Sequence, residues 1–111
     1  MKVAVTAVGQ KLDDPIGTRP DRCSYWLVVD PVTMEWEPIP NPLMSVGGPA
    51  AGKLIAQVLQ EQRVKFILAG GGRCKPLKEV GGNGVRVLLG MTGTVRETVE
   101  KFNRSPFSKT L

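Results

Sequence analysis

A chain of 111 residues, 41% of them hydrophobic, can bury one core and leaves no room for a second catalytic domain, which excludes a disordered chain or a coiled coil. The formal charge of +5 favours anionic partners, yet the cations are scattered and three Phe, two Trp and one Tyr offer few stacking surfaces, which argues against nucleic acid. The absence of histidine removes Ser-His and Cys-His nucleophiles, histidine general bases and histidine metal sites in one step.

Val3, Val5 and Ala7 alternate with Lys2, Ala4 and Thr6, which predicts a first strand over Lys2 to Ala7 rather than a signal peptide. No apolar run approaches the length of a membrane span, so a cytoplasmic protein without a membrane partner is expected. Gly9 to Asp21 follows as a long connection with no clear period, of the kind that serves a site or is mobile. Ser24 to Asp30 is rich in aromatic and β-branched residues and predicts a second strand; Pro31-Val32-Thr33 turns it into a hairpin partner over Met34 to Ile39. Pro38 removes a ladder donor, so that partner belongs at an edge.

Gly48-Pro49 suits a helix start, with Ala51, Leu54, Ile55, Val58 and Leu59 as one apolar stripe. A fourth strand ends in the apolar run Phe66 to Ala69 and stops at Gly70-Gly71-Gly72. A short helix around Pro76 to Val80 and a fifth strand over Val85 to Leu89 come next. Thr94-Val95-Arg96-Glu97 fits a capping box opening a last helix that buries Val95, Val99 and Phe102. Residues 1–104 are expected to form the single domain, with 105–111 as a frayed tail. Strands alternating with helices in the second half imply parallel pairing there, and the hairpin makes the sheet mixed.

The glycine turn draws the chemistry together. Glycines after a strand and before a helix expose backbone N–H groups where the helix dipole favours an anion, and Arg73 and Lys75 strengthen that preference. Gly47 and Gly48 offer a second such set. Cys23 and Cys74 lie far apart, belong to no C-x-x-C and read as reduced thiols. If the first strand runs parallel to the fourth and antiparallel to the second, Cys23 and Cys74 approach one crevice with Arg19, Arg22, Arg73 and Lys75, near Gly47-Gly48.

Several fragments, in this order and spacing, resemble the small dinitrogenase iron-molybdenum cofactor biosynthesis proteins over nearly all of Lys2 to Phe102. They are Met1-Lys2-Val3-Ala4-Val5 with Leu12-Asp13, Arg22 before Tyr25-Trp26-Leu27-Val28-Val29-Asp30, and Asn41-Pro42 before Gly47 to Gly52; Ala69-Gly70-Gly71-Gly72 and Gly93-Thr94-Val95 with Glu97 complete the set. Asp21 stands where the family usually has glycine before that arginine, and Arg73-Cys74-Lys75 departs from its usual Gly-x-x-Gly-Pro-Lys turn.

The resemblance implies a ribonuclease H-like α/β fold, a five-stranded mixed sheet of order 3-2-1-4-5 covered by helices. It implies a carrier rather than an enzyme, binding a molybdenum-containing metal–sulfur cluster of molybdenum–copper sulfide or iron–molybdenum type. The candidate cofactor contacts are Arg19, Arg22, Gly47, Gly48, Gly70, Gly71, Gly72, Arg73 and Lys75, with Cys23 and Cys74 as candidate metal ligands. The expected partners are the cluster or its precursor and cofactor-assembly proteins. The same turn suits a regulatory domain binding a phosphate-bearing metabolite. A ribonuclease H-like nuclease would need clustered carboxylates for two metals, whereas Asp13 and Asp14 lie in a loop and Asp30 ends a strand.

Overall fold

The central strand, β1 (Lys2–Ala7), occupies the residues its alternation predicts and pairs on both sides. It runs antiparallel to β2 (Tyr25–Val29) and parallel to β4 (Val64–Leu68); β3 (Trp36–Pro40) lies antiparallel outside β2, and β5 (Arg86–Leu88) parallel outside β4. The order β3-β2-β1-β4-β5 is the one the resemblance implies. These assignments come from a computed structural model that describes residues 2–19, 23–41, 57–71 and 85–106. Residues 57–61 form a helical segment, α1, and Val95–Arg104 form α2. The expected helix start at Gly48-Pro49, the helix around Pro76 to Val80 and the end of the tail lie outside the described residues.

The sheet separates two apolar layers. On one face Ala4, Trp26, Val28, Ile67, Ala69 and Val85 pack with Leu59 of α1. On the other, Val3, Val5, Leu27, Val29, Phe66 and Leu68 pack with Val95, Val99 and Phe102 of α2 and with Leu12 and Ile16 of the long loop. Phe66 and Phe102 meet edge to face, with ring centroids 4.9 Å apart, an arrangement that adds about 0.5–1.5 kcal/mol beyond burial.

The hairpin differs from the sequence expectation by shifting along the chain. Asp30 leaves the strand because its carboxylate accepts the N–H groups of Val32 and Thr33, closing a turn. Met34, expected in the third strand, belongs to that turn at φ 63°. Pro40 extends the strand instead, opposite Tyr25, as Pro38 sits opposite Leu27. Hydrogen bonds from Asp30 N to Glu35 O and from Asn41 N to Ser24 O flank the ladder and set its parity. Residues 35, 37, 39 and 41 therefore turn their backbone polar groups toward β2, while Trp36, Pro38 and Pro40 turn theirs outward, where a proline loses no ladder bond.

The capping box forms as predicted: Thr94 Oγ1 accepts from Glu97 N, and Glu97 Oε1 accepts from Thr94 N, each at 3.1 Å. The long connection after β1 is anchored rather than loose. Ile16 pairs with Ala7 and Pro15 with Thr94, and Ile16 N donates to Gly93 O at 2.9 Å. Leu12 O and Asp14 O accept the N–H groups of Arg96 and Val95, and Arg96 Nε lies 2.8 Å from Asp13 Oδ1.

Candidate functional site

Past Ile16 the loop crosses the end of the sheet where β1 and β4 finish and β2 begins. There Gly17 and Thr18 lie directly on Gly70 and Gly71. A Cβ on Gly70 would stand 2.7 Å from Gly17 O, and one on Gly71 would overlap the Thr18 carbonyl oxygen. Gly71 also holds φ at +74°, a conformation open chiefly to glycine. These two glycines are required because two backbones touch.

Thr6, fully buried in β1, ties the layers together: its backbone O accepts from Gly17 N, its Oγ1 donates to Gly17 O at 3.1 Å, and Gly70 N donates to the same Oγ1 at 3.4 Å. Gly90 N donates to Gly71 O, bringing the end of β5 to the same place. The N–H groups of Thr18, Arg19 and Gly71 form no hydrogen bond among the described residues, and all three residues are exposed. Open donors from two touching turns, one carried by an arginine, give a patch of positive potential suited to an anion.

Cys23 lies under this junction. Its backbone N donates to Arg19 O at 2.9 Å, and its side chain fills the space that Gly17 leaves; a Cβ on Gly17 would overlap it. The sulfur donates to Tyr25 O, and Asn41 Nδ2 donates to the sulfur at 3.3 Å and to Cys23 O at 2.7 Å. Burial pushes the Cys23 thiol up, and the nearby N–H groups of Ala7 and Trp26 oppose part of that rise. The Trp26 indole N–H is fully buried and forms no hydrogen bond among the described residues. Cys23 is thus a protonated, packed thiol, and a metal binding it would have to displace its proton.

Of the predicted contacts, Arg19, Gly70, Gly71 and Cys23 converge at this one end of the sheet. The strand directions on which that convergence depends, β1 parallel to β4 and antiparallel to β2, hold. Arg22, Gly47, Gly48, Gly72, Arg73, Cys74 and Lys75 lie outside the described residues. Sequence reasoning missed Thr6, Gly17, Thr18 and Asn41. Gly17 followed by a threonine and an arginine in a loop was the available signal; nothing local marks Thr6, which reads as an ordinary strand residue. Asp13 and Asp30 stand at opposite ends of the sheet, because Asp30 follows β2 where β1 begins, so those two carboxylates do not share a site. Among the described residues no three His, Cys, Asp or Glu side chains gather to hold a metal ion.

The family model described as dinitrogenase iron-molybdenum cofactor matches residues 1–105. Among solved structures, the apo form of the orange protein from Desulfovibrio gigas is similar with a TM-score of 0.77 and 31% identity, covering 93% of this chain and 87% of that one. A putative NifB protein from Thermotoga is similar with a TM-score of 0.73 and 26% identity, covering 94% of this chain and 88% of that one. No curated protein matches significantly.

Proposed function

The chain belongs to the dinitrogenase iron-molybdenum cofactor family, and from that premise we propose that it binds and carries an anionic, molybdenum-containing metal–sulfur cluster at the junction of Gly17–Arg19 with Gly70–Gly71. The observation that carries this reading is the trio of N–H groups on the exposed residues Thr18, Arg19 and Gly71, which have no partner among the described residues. A sulfide-bridged cluster presents a spread negative charge and several soft acceptors, which such donors and a guanidinium hold without a covalent bond. The cluster is cargo here, and the protein acts as carrier rather than catalyst, exchanging it with cofactor-assembly proteins. A ribonuclease H-like fold is the name we attach to the sheet order by resemblance. No helix among the described residues is long and apolar enough to cross a membrane.

The test is an anaerobic visible spectrum with metal analysis, before and after tetrathiomolybdate is added with copper, and separately with iron–molybdenum cofactor. Stoichiometric uptake, with charge-transfer bands that comigrate with the protein, is expected from one of the two. A protein that stays colourless and metal-free with both sinks the reading. Saturable binding of a nucleotide under those conditions would transfer the site to a phosphate-bearing metabolite, which the same donors suit. Cys23→Ser combined with Cys74→Ser then separates two ways of holding the cluster: retention in the double variant assigns it to charge and N–H donors, and loss assigns a bond to a thiolate.

A further inference from the structure

We infer that Thr6 is the positioning residue of this site: its hydroxyl fixes the Gly17–Thr18 peptide so that the Thr18 N–H points out toward the ligand. The inference rests on the proposed anion site and adds to it the group that aims it. Thr6 is fully buried, as are Val3, Ala4, Val5 and Ala7 along the same strand, and a buried hydroxyl is costly unless it is bonded. Valine would fill the same volume and favour the strand at least as well. The hydroxyl is nevertheless used twice, toward Gly17 and Gly70, 11 and 64 residues away along the chain, and both partners belong to the site.

The direction of these bonds is fixed. Gly17 O only accepts and Gly70 N only donates, so the Thr6 proton must lie on the Gly17 side and its lone pair on the Gly70 side. Donating strengthens the oxygen as an acceptor, which couples the two glycine turns through one atom. A trans peptide is planar and its C=O and N–H point in opposite directions. No cis peptide occurs among the described residues, so turning the Gly17 carbonyl inward to Thr6 turns the Thr18 N–H outward, where it has no partner among the described residues. Gly70 N, held by the same hydroxyl, keeps the next residue, Gly71, against Thr18.

The experiment compares Thr6→Val and Thr6→Ser with the unaltered full chain. It uses thiomolybdate with copper as the probe, well below each protein's melting temperature. Thr6→Val is expected to weaken binding at least tenfold and to shift the amide resonances of Thr18 and Gly71, while Thr6→Ser stays within about twofold of wild type. Val99→Ala, on the opposite face of the sheet, supplies a control that loses stability without touching the site. Wild-type affinity in Thr6→Val, or an equal loss in Val99→Ala, overturns the inference. If wild-type protein takes up neither thiomolybdate with copper nor iron–molybdenum cofactor, the carrier reading fails, and the amide shifts then decide the role of Thr6 alone: unmoved resonances at Thr18 and Gly71 overturn it. Thr6→Ala replaces the valine form, with the same expectations, if that form does not fold.

Discussion

The start of α2 and the junction of Gly17–Arg19 with Gly70–Gly71 both gather backbone N–H groups, and they end oppositely. At α2, Val95 N and Arg96 N donate to the carbonyls of Asp14 and Leu12, Glu97 N to Thr94 Oγ1 and Thr98 N to Thr94 O, so each donor of the first turn has a partner. At the junction, Thr18, Arg19 and Gly71 donate to nothing among the described residues. One loop serves both ends: Leu12 to Ile16 saturates the helix, and Gly17 to Arg19 leaves its own donors open. A helix start is therefore not a binding site in itself; what matters is whether the fold has already used its hydrogen bonds.

The largest way to break the contrast is Gly71→Val. The side chain meets the Thr18 carbonyl and must hold φ near +74°, so a cost of about 1–3 kcal/mol is expected in urea denaturation, with thiomolybdate uptake lost in a titration of the folded protein. Uptake equal to wild type would remove the junction from the site. Next comes Thr94→Ala, which deletes the N-cap of α2: stability should fall by about 1 kcal/mol, read by thermal melting, while ligand affinity stays unchanged. The smallest effect belongs to Asp13→Asn. The hydrogen bond from Arg96, and then its charge, hold the Asp13 carboxyl below its usual range. Its contribution is thus present above the unfolded carboxylate pKa and disappears as pH falls through the lower folded value. Both side chains are exposed, so urea curves of the two proteins should differ slightly at neutral pH, less in high salt, and converge in acid.

What could be read in the sequence was local. The alternation of Val3, Val5 and Ala7 and the Thr94–Glu97 spacing each encode their own structure within a few residues, and both formed as expected. The glycine turn after β4 marked one half of the proposed site because Gly70 and Gly71 announce a backbone constraint. Its other half was hidden, since Gly17 and Thr18 acquire their role only when the sheet brings them onto residues far along the chain. Thr6 was harder still: a threonine in a strand is ordinary, and its two distant partners appear only once β1 lies between β2 and β4.

The two prolines of β3 set a limit on association. A neighbouring molecule that tried to extend the sheet at that edge would look for donors at Trp36, Pro38 and Pro40, and two of those three positions have no hydrogen to give. Templated stacking of one copy on another is therefore disfavoured at the outer side of the hairpin.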